Sequence, residues 1–149
     1  METTIEAEVG AMKRKAGRKV FRTLLVEDNA VLRGFVKEML GFKFPSMTVL
    51  EAGDAKSALR IVDHSPPDLI LMDIRLPDES GLSLTKRIKQ KHPDTTIMIL
   101  TSYDLPEYRD AASECGAVCF VYKGIASGEQ IAEIIRSKFP LLDGKPQKE

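Results

Sequence analysis

The stretch 68–77 reads Asp68-Leu69-Ile70-Leu71-Met72-Asp73-Ile74-Arg75-Leu76-Pro77, in which a short apolar run ends at an aspartate and the chain then turns. Four apolar residues between turn-forming residues are typical of a strand buried on both faces, the kind that a parallel sheet contains. Asp73 then lies at the carboxyl end of this strand, the edge at which open α/β sheets bind their ligands. By itself, this position is compatible with two alternatives, a carboxylate that takes part in a reaction and a carboxylate that only caps a turn.

Similar apolar runs alternate with helical patterns along residues 21–139. Short connections between alternating strands and helices predict right-handed crossovers and a parallel sheet covered by helices on both faces. The sequence therefore predicts an α/β fold with a doubly wound sheet. The predicted strands are 21–26, 47–51, 69–73, 96–100 and 118–122.

The boundaries of the first two helices follow from their caps. Apolar residues at helical spacing, Val31 and Phe35 among them, predict a helix over 30–40 that Gly41 ends. Asp54 is the predicted N-cap of the second helix. The residues Ser65-Pro66-Pro67 end that helix, because the residue before a proline avoids the α region.

Capping boxes predict where the last two helices begin. Asp104 with Glu107 opens the fourth helix, and Ser127 with Gln130 opens the fifth. Between them, Gly116 closes the fourth helix. The third helix follows the turn 76–81 and ends at His92-Pro93, and His64 and His92 are interpreted as solvated or capping residues.

Composition limits the domain organisation and the partners. The 149 residues, of which 43% are hydrophobic, suit one domain with a core, here residues 21–139. Residues 1–20 are predicted to be a flexible extension and 140–149 a polar C-terminal tail. With 22 basic and 22 acidic residues the chain has no overall charge that indicates nucleic acid or membrane binding. Without a signal sequence or a membrane span, a cytoplasmic location is expected, with Cys115 and Cys119 reduced.

Chemically useful side chains follow four of the predicted strands. Glu27 and Asp28 follow the first strand, Asp73 the third, Thr101 the fourth and Lys123 the fifth. Since parallel strands bring their carboxyl ends to one edge, these residues are expected to be neighbours. Clustered carboxylates repel one another unless a cation relieves them, and Mg²⁺ prefers such oxygen ligands. Asp73 could then attack phosphorus to give an acyl phosphate, with Lys123 and Thr101 contacting the phosphoryl group.

This ordered set resembles the receiver domain of two-component response regulators over residues 21–139. The resemblance implies a flavodoxin-like (βα)₅ fold with strand order 2-1-3-4-5. It also implies a signalling switch, not a dedicated metabolic enzyme, whose phosphoryl donor is a histidine kinase or a histidine phosphotransfer protein. The motif residues are Glu27-Asp28, Asp73 with Pro77 and Gly81, Thr101-Ser102, and Lys123.

The resemblance also implies roles for individual residues. Asp73 would be the phosphoacceptor, with Mg²⁺ held by Glu27, Asp28, Asp73 and the backbone carbonyl of Arg75. Thr101 would be the switch hydroxyl, and Phe120 the aromatic residue that turns inward when Thr101 engages the phosphate. The output would be an altered protein-binding surface for an unknown downstream target, with a phosphorylation-linked homodimer as one form.

Some features depart from the family pattern or leave alternatives open. Gly124 follows Lys123 where many relatives have proline, and Tyr122 replaces a commonly aliphatic residue. Arg75 and Tyr103 either tune water access to the acyl phosphate or are exposed residues without a role. A metal-dependent phosphohydrolase is an alternative, although Arg75 stands where such enzymes place a second aspartate. A scaffold without phosphorylation or a flavin-binding relative is another.

Overall fold

The computed structural model describes residues 20–124 and 126–143, so most of the predicted N-terminal extension and residues 144–149 lie outside it. Strands and helices alternate along the described chain, as the sequence predicts. The elements are β1 (Arg22–Val26), α1 (Ala30–Lys43), β2 (Thr48–Ala52), α2 (Ala55–His64), β3 (Leu69–Met72), α3 (Gly81–Lys91), β4 (Thr96–Thr101), α4 (Pro106–Glu114), β5 (Cys119–Tyr122), α5 (Gly128–Lys138) and a 3₁₀ helix (Pro140–Asp143).

The strands form one sheet in the order β2-β1-β3-β4-β5, and every pairing is parallel. This confirms the predicted flavodoxin-like order. Val26 is level with Met72, and Met72 with Ile99, so β1, β3 and β4 run in step to the same edge. Residues that directly follow these strands therefore come together at that edge.

The sheet separates two apolar layers. Because successive side chains of a strand point to opposite faces, Leu71 joins the layer formed with α1 and α5, while Ile70 and Met72 join the layer formed with α2, α3 and α4. The central strand β3 is buried along its whole length. We call these the α1/α5 layer and the α2–α4 layer.

Helix α1 is longer than predicted, and some of its apolar residues are exposed. Gly41 does not end the helix, which continues to Lys43 and is closed by the Phe44 N–H donating to the carbonyl oxygen of Leu40 at 2.7 Å. A glycine ends a helix when it adopts positive φ, and among the described residues only Gly116, after α4, does so. Val31 and Phe35 are 70% and 65% exposed, so they lie outside the buried stripe of α1.

The predicted caps are confirmed at α2 and α5 and wrong at α4. The Asp54 side chain accepts a hydrogen bond from the Ser57 N–H, and Ser127 and Gln130 form the predicted capping box. Helix α4 instead begins after Leu105, whose side chain makes no capping hydrogen bond, and has proline at its first position. Proline at this position needs no cap for its missing N–H. Asp104 accepts a hydrogen bond from Arg109 Nε at 2.7 Å instead.

The described part of the C-terminus remains ordered beyond α5. The 3₁₀ helix over Pro140–Asp143 places Leu142 in the α1/α5 layer, where the sequence predicts the start of a polar tail. Within residues 20–124 and 126–143, no helix combines the length and the apolar character needed to cross a bilayer.

Candidate phosphoacceptor site

Three carboxylates meet at the carboxyl edge of the sheet. Glu27 and Asp28 directly follow β1, and Asp73 directly follows β3, where its N–H donates to the carbonyl oxygen of Val26 at 3.0 Å. One carboxylate oxygen from each of the three lies within 4.8 Å of the others. Asp73 is only 6% exposed, Glu27 is half-buried and Asp28 is exposed. The cluster therefore opens to solvent on the Asp28 side.

Asp73 is held by the loop that follows it and by the start of α3. Its Oδ1 accepts a hydrogen bond from the Ile74 N–H at 2.8 Å, and the Ile74 carbonyl accepts one from the Gly81 N–H at 2.6 Å. A Cβ atom at position 81 would lie 1.9 Å from the backbone oxygen of Asp73. Glycine is therefore required for α3 to approach Asp73 this closely, which gives Gly81 of the predicted motif a steric reason.

Lys123 pairs with Glu27 in this structure. Its Nζ lies 2.6 Å from Glu27 Oε1, and each of the two side chains is 12% exposed. Burial raises the pKa of Glu27 above its ordinary value, and the hydrogen bond from Lys123 opposes this shift. From the sequence, Lys123 was expected to face a phosphoryl oxygen or Asp73. The structure instead pairs the partly buried ammonium with the neighbouring carboxylate of Glu27.

Arg33 is a part of the site that the sequence did not single out. Its Nη1 donates to the backbone carbonyl of Glu27 at 2.6 Å, while its Nε binds Glu51 Oε1 at 2.9 Å. The N-cap of α1 is Asn29, whose Oδ1 accepts a hydrogen bond from the Leu32 N–H at 3.0 Å. Since Asn29 caps the helix, Asp28 is not needed for that purpose. Arg33 follows Asn29 by one helical turn, which is the only sequence signal that could have indicated it.

Thr101 lies at the end of β4 with its side chain fully buried. Its Oγ1 accepts a hydrogen bond from the Tyr103 N–H at 3.3 Å, and its carbonyl accepts one from the Lys123 N–H at 2.8 Å. Phe120 of β5 lies level with Ile99 of β4 and is half-buried in the α2–α4 layer. The strand ends thus bring the backbones of Thr101 and Lys123 together, as the sequence predicts.

Arg75 packs against Tyr103, two residues beyond β4, and also interacts with Tyr108 in α4. Its guanidinium carbon lies 3.9 Å from the centroid of the Tyr103 ring, and a hydrogen bond with Tyr108 raises the pKa of Arg75. The backbone of Arg75 also pairs with Ser80 in an isolated antiparallel bridge. A cation therefore occupies the position at which the phosphohydrolase alternative needs a second carboxylate.

The two departures near Lys123 lie in contact with each other. A Cβ atom at Gly124 would lie 2.3 Å from the ring of Tyr122, so a larger residue at 124 requires that side chain to shift. None of the peptide bonds described for this chain is cis. Cys115 and Cys119 are both free thiols, as predicted.

The donor set fits a magnesium ion. Mg²⁺ prefers oxygen ligands and is commonly held by one or two carboxylates together with water and phosphate oxygens. Glu27, Asp28 and Asp73 supply carboxylate oxygens within 4.8 Å of one another, at an edge that remains open on one side. The site therefore combines a buried carboxylate, oxygen atoms that could hold a cation, a lysine and a hydroxyl.

A parallel five-stranded sheet with a carboxylate cluster at its carboxyl edge places the chain in the class of doubly wound α/β domains. Residues 23–136 match the response regulator receiver domain, and the chain belongs to this family. The transcriptional regulatory protein YdfI of Bacillus subtilis is 37% identical over 106 residues, which are 71% of this chain and 49% of YdfI. The oxygen regulatory protein NreC of Staphylococcus carnosus is 34% identical over 119 residues, 79% of this chain and 54% of NreC.

Solved structures share this fold. A CheY-like receiver domain protein from Methanospirillum hungatei superposes with a TM-score of 0.76 at 24% identity, covering 85% of this chain and 98% of that one. A LuxR-family response regulator from Aurantimonas superposes with a TM-score of 0.73 at 28% identity, covering 83% and 86%. The chain spans about half the length of the curated relatives it matches.

Proposed function

We propose that Asp73 accepts a phosphoryl group from a phosphohistidine of a histidine kinase or phosphotransfer protein. The carboxylate oxygen of Asp73 attacks phosphorus, a P–O bond forms, and the electron pair of the broken N–P bond returns to the imidazole nitrogen of the donor. The observation that carries the proposal is the cluster of Glu27, Asp28 and Asp73, with ligand oxygens within 4.8 Å of one another beside Lys123.

Each residue at this edge has a different role in the transfer. Ile74 N–H holds Asp73 Oδ1, which fixes the direction of the carboxylate. Glu27, Asp28, Asp73 and the Arg75 carbonyl would hold Mg²⁺, which when bound neutralises charge on the transferred oxygens. Lys123, which pairs with Glu27 in this structure, would contact the phosphoryl oxygens on Asp73.

Phosphorylation is proposed to act as a switch. A phosphoryl group adds charge and acceptor oxygens at the edge, which Thr101 and Lys123 can bind. The movement of Thr101 and Phe120 then shifts the population of the surface formed by α4, β5 and α5 towards a form that a downstream protein binds. A homodimer through this surface is one such form. The domain itself is proposed to bind no nucleic acid.

Phosphorylation by a small donor tests the proposal without a cognate kinase. The full chain is incubated with acetyl phosphate and Mg²⁺, and intact mass spectrometry is expected to show one added phosphoryl group. Asp73→Asn should abolish the adduct, as should removal of Mg²⁺ with a chelator. Asp68→Asn is a matched control, because Asp68 lies at the opposite end of the same strand, where it accepts a hydrogen bond from the Arg22 N–H at 2.9 Å. An adduct that persists in Asp73→Asn would contradict the proposal.

A further inference from the structure

Arg109 connects two parts of the molecule that lie on either side of α4. Its Nε donates to Asp104 Oδ1 at 2.7 Å, in the loop that joins β4 to α4. Its guanidinium carbon lies 4.6 Å from the centroid of the Phe120 ring in β5. One side chain therefore binds the loop through an ion pair and β5 through a cation–π contact.

The loop that Arg109 binds also holds the hydroxyl of Thr101. The Tyr103 N–H donates to Thr101 Oγ1 at 3.3 Å, and Tyr103 is the neighbour of Asp104. In the proposed function Thr101 moves when Asp73 carries a phosphoryl group, and the hydrogen bond from the Tyr103 N–H to Thr101 Oγ1 ties this movement to the loop. A movement of Thr101 that carries segment 101–104 with it would change the distance between Asp104 and Phe120, and so at least one of the two contacts of Arg109.

We propose that Arg109 is a positioning residue that stabilises the unphosphorylated arrangement of the Thr101 loop and thereby opposes the switch. The proposal rests on the proposed function, since it assumes that Thr101 engages a phosphoryl group on Asp73. A side chain shifts a two-state equilibrium only through contacts that differ between the states. Under the proposed function, which moves Thr101 and Phe120, the Asp104 and Phe120 contacts of Arg109 meet this condition.

The size of the effect follows from the exposure of the two contacts. The side chains of Arg109 and Asp104 are 47% and 38% exposed, so the ion pair is largely screened. An exposed ion pair and an exposed cation–π contact together change an equilibrium constant by about 3- to 10-fold. By linkage, the same factor should separate the affinities of Arg109→Ala and the native chain for a ligand that mimics the phosphoryl group.

Beryllofluoride with Mg²⁺ supplies such a ligand without a covalent step. Its affinity for the full chain is measured by isothermal titration calorimetry, and Arg109→Ala is expected to bind about 3- to 10-fold more tightly. Lys91→Ala is the matched control: Lys91 in α3 pairs with Asp63 Oδ2 in α2 at 2.9 Å, and the two side chains are 54% and 45% exposed. It removes the same kind of contact and should leave the affinity unchanged. Arg109→Lys retains the charge and should bind beryllofluoride with an affinity close to that of the native chain.

The outcomes separate a positioning role from a merely structural one. Loss of a structural residue would lower the unfolding temperature and leave the affinity for beryllofluoride unchanged or weaker, and that result would overturn the proposal. If Arg109→Ala does not fold, Asp104→Asn provides a second test. It removes the same ion pair and should also tighten the binding of beryllofluoride. If the native chain binds no beryllofluoride, the proposed function itself fails, and the role of Arg109 falls with it.

Discussion

Replacing Gly81 by alanine tests how closely α3 must approach the phosphoacceptor. A Cβ atom at this position lies 1.9 Å from the carbonyl oxygen of Asp73 and 2.9 Å from its carbonyl carbon. Both neighbours are backbone atoms, so neither can rotate away as a flexible side chain would. Relief of the contact requires α3 or the Asp73 loop to move by about 1 Å, a misplacement that can cost about 100-fold in the rate of a reaction that depends on geometry.

We therefore expect two effects of Gly81→Ala. The rate of phosphorylation by acetyl phosphate should fall by about 100-fold, measured by mass spectrometry over time. The free energy of unfolding should fall by about 1–3 kcal/mol, as for other overpacked sites. In a thermal melt, each kcal/mol lowers the midpoint by about 2–4 °C in a chain of this size.

Gly34→Ala is the matched control for this experiment. Gly34 lies in α1 with no atom within 4 Å of where its Cβ would be, so the added methyl group meets open space. Alanine is the better helix former, and this variant should be stabilised by about 0.5–1 kcal/mol with an unchanged phosphorylation rate. A Gly81→Ala variant that melts and is phosphorylated like the native chain would refute the steric argument.

Three further outcomes are expected. Burial raises the pKa of Glu27, so its carboxyl group stays protonated to a higher pH than an exposed one. The affinity for Mg²⁺, measured by calorimetry, should therefore rise with pH through that pKa. Glu27→Gln should remove this pH dependence. Leu142→Ala should lower the free energy of unfolding in urea by about 2–4 kcal/mol, because Leu142 is buried in the α1/α5 layer. Leu105→Ala, at an exposed position, should change this free energy by less than about 0.5 kcal/mol. Phe35→Ala should likewise change it by less than about 0.5 kcal/mol, since the side chain is 65% exposed; a loss above about 2 kcal/mol in the same urea titration would show that Phe35 is covered.

The parallel sheet and the meeting of the carboxylates could be predicted because both depend on backbone topology, whereas the strand order came from the family resemblance. A run such as Leu69–Met72 has no polar residue and must be buried on both faces, which requires a sheet with two helical layers. Once the strands are parallel, their carboxyl ends share an edge, and Glu27, Asp28 and Asp73 become neighbours whatever the side-chain rotamers are.

The partner of Lys123 could not be predicted, because it depends on side-chain directions and on what the site contains. Glu27 and Asp73 both lie at the same edge, so both are possible partners for a long flexible ammonium. The structure places Lys123 on Glu27, the carboxylate whose pKa burial raises. Periodicity and motif spacing carry no information about such a choice between neighbours.

The errors at α1 and α4 have local physical causes. An apolar residue at helical spacing is not necessarily buried, and Phe35 extends from α1 on the side that faces away from the sheet. A glycine ends a helix only through its φ, and Gly41 does not take a positive value. At α4, Asp104 has the spacing of a capping box with Glu107, but its carboxylate accepts a hydrogen bond from the guanidinium of Arg109 and caps no helical N–H.

The division of the core by the sheet has a consequence for energetic coupling. Side chains of the α1/α5 layer and the α2–α4 layer are separated by the backbone of the five strands, so a change in one layer leaves the contacts of the other intact. Substitutions without shared contacts are additive in their effect on unfolding, whereas neighbours within one layer are not. Double-mutant cycles across the sheet should therefore give coupling energies near zero, except for pairs that both reach the edge where Asp73 lies.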